Sequence, residues 1–302
     1  MAGGGVSDED DLATAYDAAR PRLVRVAYAI LGSHAEAEDV VADCWLKLVR
    51  AHREDPVRDV LGWATVAVSR AALDTLRSAR VRRERYVGPW LPEPVLDRIA
   101  ADRADPADRV TMDESVRYAL LVVLEQLSPA ERTAWVLHDL FGVPFPEVAR
   151  AVGRTPDAVR QLASRARRHV AAGTPRLEVD RTEHDRVLAA FVAAAAGGDL
   201  EALVRTLDPD VVLTSDGGGV ISAARRPVLG PDKVARFLLG IVRRGRAAGR
   251  EAVPVEVNGA TGLAFLEEGR VTGVVSLSVG GGVVRRVDIV LAPDKLPVGP
   301  VS

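Results

Sequence analysis

Apolar residues recur at three- and four-residue spacing along most of this chain and switch to strict alternation toward its end. The first pattern predicts helices and the second predicts strands. Leu23, Val26, Ala27 and Ile30 form a helical stripe that stops at Gly32. Ser33 and Glu36 then form a helix-start signal, in which each side chain can satisfy the other's backbone N–H. The helix that follows turns Ala37, Val40, Val41, Cys44 and Leu48 inward, with Glu36, Asp39, Asp43 and Lys47 outward. Residues 52–59, charged and interrupted by Pro56, read as a loop. A third helix is expected from about Leu61 to Arg85, with Trp63, Val66, Ala67, Ala71, Leu73 and Leu76 inward. Its end is basic: Arg77, Arg80, Arg82, Arg83 and Arg85. Residues 86–114, rich in Pro, Asp and Arg, read as a linker. Within it, Trp90-Leu91-Pro92-Glu93-Pro94 holds two large apolar side chains between prolines, and such residues usually dock on a surface.

Residues 127–170 carry the densest local signal. Ser128-Pro129-Ala130-Glu131 opens a short helix that closes at Gly142. Phe145, Val148, Ala149 and Val152 give a second, stopped by Gly153. Thr155 caps a third, with Pro156 at its first position. Val159, Leu162, Ala163, Ala166 and Val170 share one face of that third helix. Arg160, Gln161, Ser164, Arg165, Arg167 and Arg168 share the other. Three short helices ending in a basic one are the build of a helix-turn-helix DNA reader. Its early Arg and Gln side chains suit base edges, and the later arginines suit phosphates.

Beyond a second linker at 173–182 the character changes. Val187, Leu188, Phe191 and Val192 predict a helix closed by Gly197-Gly198, and Leu200, Leu203 and Leu207 a shorter one. Residues 210–215 read as a strand ahead of the glycine run 217–219, and Gly230-Pro231 opens another helix. Alternation over 253–257, 262–266, 273–279 and 283–291 predicts an antiparallel sheet, hence an α+β domain. Asp216 and Asp288 are its candidate pocket carboxylates, with His184 the one histidine of the region; no acid–base pair stands out.

Composition narrows the picture. The 302 residues allow two or three domains, and net charge is only -2, so basic side chains act as clusters rather than as a uniformly cationic surface. A single cysteine, Cys44, excludes an intramolecular disulfide and a cysteine-rich zinc site, and no metal ligand set or cofactor motif is evident. The absence of a membrane-spanning apolar run or signal-peptide pattern predicts a cytoplasmic protein.

Taken in order, these segments resemble bacterial extracytoplasmic-function (ECF) sigma factors, and more narrowly the group with a fused SnoaL-like C-terminal domain. Ala37-Glu38-Asp39-Val40-Val41 with Trp45 resembles the polymerase-binding helix of sigma region 2. The helix from Trp63 through Leu73-Asp74-Thr75-Leu76-Arg77 resembles its −10 element helix, and 127–170 resembles region 4. WLPEP at 90–94, DGGG at 216–219 and Pro293-Asp294-Lys295-Leu296 resemble three motifs of that group, the last with Ala292 where the group usually has Asn.

The resemblance implies a multidomain, non-enzymatic protein: two all-α sigma domains, a region 2 helical bundle and a region 4 helix-turn-helix, plus an α+β SnoaL-like cone-shaped barrel. The expected division is region 2 at 8–86, a linker at 87–114, region 4 at 115–172, a linker at 173–182 and a regulatory domain at 183–296. The implied partners are core RNA polymerase and promoter DNA, with a small-molecule ligand of the C-terminal domain left open. Glu38, Asp39, Asp43 and Trp45 are the expected polymerase contacts, and Trp63, Arg70, Arg77 and Arg80 the expected −10 contacts. Arg160, Gln161, Ser164, Arg165, Arg167 and Arg168 are the expected −35 contacts. Trp90, Leu91, Pro92, Asp216, Gly217, Gly218, Gly219, Asp294, Lys295 and Leu296 are expected to form a regulatory interdomain contact. The alternative is a helix-turn-helix regulator that acts without polymerase and whose last domain binds or turns over a small molecule.

Overall fold

The structure, a computed structural model, describes residues 5–83, 86, 88–97, 116–173 and 180–297. The expected linker residues 98–114 and 174–179, and Arg85 of the basic helix end, lie outside the described residues. The chain divides into two compact units, residues 1–82 with 124–170, and residues 83–123 with 171–302.

The first unit is all helix. α1 (Gly5–Leu31) continues through Pro21 without a break. The lost backbone donor is tolerated because Leu12, Tyr16 and Ala19 before it, and Leu23 after it, are all buried. From Val26 to Leu31 every side chain of α1 is fully buried, so α1 is the central element of the unit. α2 (His34–Glu54) starts on Ser33, whose hydroxyl accepts from the Glu36 N–H, and it buries the five residues expected of it.

α3 (Val60–Arg83) forms where expected but in a different rotational phase. Its buried stripe is Ala64, Val68, Ala72, Leu73, Leu76 and Ala79, whereas Trp63, Val66, Ala67 and Ala71 are only half-buried. Apolar residues occupy nearly the whole circumference of α3, so periodicity alone cannot choose the inner face.

α4 (Tyr118–Leu124) precedes the three expected short helices. α5 (Pro129–Trp135) begins on a complete capping box between Ser128 and Glu131. Its continuation, Val136–Leu140, is a π-helical turn, which ends as Gly142 takes a positive φ of 69°. α6 (Phe145–Val152) ends on Gly153, also left-handed, and α7 (Pro156–Gly173) follows, with Thr155 Oγ1 accepting from the Ala158 N–H. Arg132 of α5 is 1% exposed; its Nε donates to the Ala29 carbonyl of α1 and its guanidinium pairs with Glu125. Within this unit, a buried cation therefore fastens the helix-turn-helix segment to the central helix.

The second unit is α+β. α8 (Arg181–Gly197), α9 (Leu200–Arg205) and α10 (Pro231–Ala247) pack on one face of a seven-stranded sheet. The strands are β1 (Leu96–Asp97), β2 (Leu207–Asp216), β3 (Val228–Leu229), β4 (Glu251–Val257), β5 (Ala260–Glu267), β6 (Arg270–Gly280) and β7 (Val283–Val290), in the order β1-β4-β5-β6-β7-β2-β3. The sheet is mixed rather than antiparallel, because β2 pairs with β7 in parallel. The two strands are far apart in sequence, so alternation within each gives no sign of their relative direction. Register shifts in β2, β5–β6 and β6–β7 sharpen the local twist.

Both faces of the sheet are covered. Val187, Leu188, Phe191, Leu203, Val234 and Leu238 pack on the inner residues Leu213, Val275, Leu277, Val287 and Ile289. On the opposite face Leu91, Tyr118 and Val122 pack on Val255, Val257, Ala264, Val274 and Val290. Part of the segment read as a linker is thus structural: β1 pairs antiparallel with β4, Leu96 opposite Val257.

Candidate functional site

α7 presents its basic face as the sequence predicts. Val159, Ala163, Ala166 and Val170 are buried, and Arg160, Gln161, Ser164, Arg165, Arg167 and Arg168 are exposed. Three of the arginines are held by carboxylates of the same unit: Arg160 by Asp157, Arg167 by Asp139, and Arg165 by Glu131 at 2.8 Å. Arg160 also lies over the Phe145 ring, 5.4 Å from its centroid. Burial pushes the Glu131 carboxyl up, but hydrogen bonds from Ser128 and Arg165 outweigh it and hold the group below the ordinary value. These pairs pre-orient long side chains while staying at the surface, where a phosphate can compete for them.

The observed phase of α3 changes the meaning of Trp63. It lies away from the buried stripe, on the same side as Arg70 and Arg77, at successive seven-residue spacings. Arg70 is exposed, Arg77 pairs with Asp74 at 3.0 Å, and the Arg80 guanidinium donates to the Leu127 carbonyl at 3.4 Å. On α2, Asp39 and Asp43 are exposed, and Glu38 is half-buried and paired with Arg20. Trp45 is half-buried against Tyr16, ring centroids 5.4 Å apart. Leu46, 59% exposed one turn from Asp43, was not anticipated.

In the second unit the three motifs converge on one charge pair. Asp216, at the end of β2, is fully buried, and so, nearly, is Lys295 in the short 3₁₀ turn Pro293–Lys295. Their Nζ–Oδ2 distance is 2.7 Å. The same Oδ2 accepts the Leu91 N–H at 2.8 Å, and Lys295 Nζ donates to the Leu91 carbonyl at 2.7 Å. Oδ1 accepts from the Tyr86 hydroxyl at 2.6 Å and the Gly218 N–H at 2.9 Å. Asp216 thus accepts four hydrogen bonds, about the full capacity of a carboxylate. Lys295 also lies 4.0 Å from the Trp90 ring centroid, a cation–π contact. The Tyr86 hydroxyl is pushed upward, by burial first and by Asp216 second, so it stays a donor.

Around the pair, Leu91 is 1% exposed in the outer-face core, and the Pro92 carbonyl accepts from the Tyr118 hydroxyl at 2.8 Å. The glycines of DGGG serve a turn of their own domain. A Cβ on Gly217 would lie 2.1 Å from the Ile221 carbonyl oxygen, and Gly218, at φ 68°, sits against Ala292. Gly219 and Asp294 are outside the core, Gly219 exposed at φ 72°, whereas Leu296 packs into it. Asn258, at φ 48° and 1% exposed, is a partner that the motifs do not announce. Its Oδ1 accepts the Val95 N–H at 3.1 Å and its own N–H donates to the Val95 carbonyl at 2.9 Å.

Residues 15–82 match the family Sigma-70 region 2, and 117–170 match Sigma-70, region 4. Over 230 residues the chain is 46% identical to the ECF RNA polymerase sigma factor SigJ of Mycobacterium tuberculosis, covering 76% of this chain and 72% of the relative. It is 34% identical over 294 residues to the probable ECF RNA polymerase sigma factor SigI of the same species, covering 96% and 97%. The crystal structure of M. tuberculosis SigJ superposes with a TM-score of 0.76 at 37% identity, covering 96% of this chain and all of that one. The chain belongs to the ECF sigma factors.

As an RNA polymerase sigma factor it directs transcription initiation, and regions 2 and 4 imply core polymerase and promoter DNA as its partners. The match to region 2 sets aside the alternative of a helix-turn-helix regulator that works without polymerase. The relatives named above are sigma factors rather than enzymes. Among the described residues no helix is long and apolar enough to cross a membrane, and no cluster of three metal-ligating side chains occurs.

The sigma factor's C-terminal domain also contains a cavity of about 730 Å³. Neither of the candidate pocket carboxylates, Asp216 and Asp288, lines it. Strand alternation sends them to the opposite face, where Asp288, 2% exposed, takes two bonds from Arg286 Nε at 2.8 and 2.9 Å. Burial pushes the Asp288 carboxyl up against the opposing pull of Arg286. His184 is bonded to the Thr261 carbonyl at 2.7 Å.

Asn258→Ala removes the acceptor for a buried N–H and places an alanine at positive φ. It is expected to cost about 2–3 kcal/mol and to speed amide exchange at Val95–Asp97, whereas Asn258→Gly, which tolerates the φ, costs about 1 kcal/mol less. Equal losses in the two variants, read from denaturant unfolding, would contradict the backbone part of this account.

Proposed function

We propose that this sigma factor is controlled in cis, its C-terminal domain gripping the linker through the Asp216–Lys295 pair. The observation that carries this reading is that one buried ion pair takes both backbone groups of Leu91. The pair thereby fills the role of a neighbouring strand for a segment that lies, in sequence, between regions 2 and 4. A chain held at 88–97 restricts the separations that the two DNA-reading regions can reach, and a released chain does not. The regulatory body in this reading is 183–296 together with 88–97 and α4. It regulates without turning over a substrate: Asp216 and Asp288 face away from the cavity, and of the two carboxylates that line it Glu251 is exposed and Glu267 is paired with Arg250. The protein acts in the cytoplasm, where polymerase and promoters are found.

Within the sigma regions, α7 reads the −35 element through Arg160, Gln161, Ser164 and Arg165, while Arg167 and Arg168 hold phosphates. The α3 stripe of Trp63, Arg70 and Arg77, with Arg80, takes the −10 element, where extruded bases need a basic track and a stacking surface. The α2 face, Glu38, Asp39, Asp43 and Trp45 joined by Leu46, meets core polymerase.

Two measurements test these assignments. Arg165→Ala is expected to weaken −35-dependent promoter binding by about tenfold, the scale of one bidentate base contact, with core-polymerase affinity unchanged. Because the Arg165–Glu131 pair is half exposed, its loss costs stability no more than about 1 kcal/mol. A variant with lost core affinity would refute the assignment. In transcription with purified core enzyme, Asp216→Asn in the full chain is expected to shift promoter output sharply, in the direction produced by deleting 183–302. Output identical to wild type from both proteins would dispose of cis control.

A further inference from the structure

The cavity of the C-terminal domain has no part in the grip on the linker, and it is shaped for a ligand. At about 730 Å³ it falls within the range of roughly 300–1,000 Å³ typical of small-molecule sites. Its walls are apolar: Phe191, Leu263, Phe265, Val275, Ile289 and Leu291. The charged lining residues are Arg244, Arg246, Arg250, Glu251 and Glu267, all exposed except the half-buried Glu267, and they mark the mouth. Glu267 is committed to Arg250 at 2.8 Å, and Arg246 donates to the Ala196 carbonyl. The Arg244 guanidinium makes no hydrogen bond or ion pair with any described residue, while its backbone carbonyl accepts from the Ala248 N–H at 3.1 Å. The rim therefore has an available guanidinium and a net positive balance around an apolar interior. That combination favours an apolar body with an anionic head over a neutral or cationic ligand.

β2 and the segment that follows β7 carry cavity wall and linker grip on neighbouring residues. Ser215 lines the cavity, and the next residue, Asp216, holds the linker. Leu291, Pro293 and Leu296 line the cavity, while Lys295 holds Leu91 and the Leu291 N–H donates to the Asp216 carbonyl at 2.7 Å. The loop after DGGG closes the set. Ile221 and Ser222 line the cavity, the Ile221 N–H donates to the Gly217 carbonyl at 2.8 Å, and the Ala224 N–H donates to Ser215 Oγ at 2.8 Å. A molecule filling the cavity presses on the sequence neighbours of both members of the charge pair.

We infer that the cavity binds an amphiphile with an apolar body and a single anionic head seated at Arg244, and that its occupancy alters the hold on residues 88–97. The second half rests on the cis-control reading; the first does not. The test uses the full chain, with decanoate, decan-1-ol and decyltrimethylammonium as probes in titration calorimetry. Decanoate is expected to bind at one site, decanol more weakly, and the ammonium compound not at all. Val275→Trp, which fills the cavity, abolishes decanoate binding. Arg244→Ala, a surface change that leaves the fold intact, weakens decanoate by about tenfold and leaves decanol unchanged. Amide exchange over 88–97 is expected to change on adding decanoate. No saturable decanoate binding, equal affinity for the three probes, or indifference to Arg244→Ala overturns the site. Saturable binding with unaltered exchange at 88–97 overturns the coupling while leaving the site. Cis control itself is judged separately, by Asp216→Asn transcription without any probe.

Discussion

The second unit depends on a carboxylate and an ammonium placed out of water 2.7 Å apart. Desolvating either ion alone costs several kcal/mol, so the arrangement is viable only because every lone pair and donor finds a partner. Asp216 meets that condition with four bonds, and Lys295 with Asp216, the Leu91 carbonyl and the Trp90 ring. The Leu91 N–H and carbonyl contribute two of those partners by backbone, and Tyr86 and Trp90 two by side chain, so the pair is satisfied only while those residues are in place. A hydrophobic contact of Leu91 alone would give affinity without register; the charge pair specifies which peptide unit docks.

That constraint explains why three short motifs so distant in sequence read together. WLPEP supplies the docked peptide and the ring, DGGG the carboxylate and the turn that frees it from its own strand, and the PDKL segment the ammonium. The motif residues were legible because aromatic, proline and glycine side chains are conspicuous in a segment of mixed charge. Their supporting partners were not. Tyr86 and Tyr118 look like ordinary linker and helix residues, and Asn258 looks like any turn residue between strands. Nothing in a local pattern says that Tyr86 will meet the Asp216 carboxylate, Tyr118 the Pro92 carbonyl or Asn258 the Val95 backbone.

The helical half shows the same boundary between local and non-local information. Caps at Ser33, Ser128 and Thr155, and the glycine stops at Gly32, Gly142 and Gly153, are decided within a few residues, and they were readable. The buried faces of α2 and α7 were readable too, because charged residues mark the opposite side. α3 lacks that contrast over 60–69, where no charged residue marks the outer side. The parallel pairing of β2 with β7 and the recruitment of Leu96–Asp97 into the sheet are likewise properties of the whole unit rather than of any segment.

The central claim is that Asp216 and Lys295 act as one unit, each intolerable without the other. A double-mutant cycle on the full chain measures this directly, using Asp216→Asn, Lys295→Met and the two combined in denaturant unfolding of the C-terminal domain. Each single change is expected to cost about 3–5 kcal/mol, because it strands a buried partner. The double variant is expected to be no less stable than either single one, a coupling of several kcal/mol. Additive losses, with the double variant destabilised by the sum of the two, would show that the residues contribute independently and that the pair does not hold the linker.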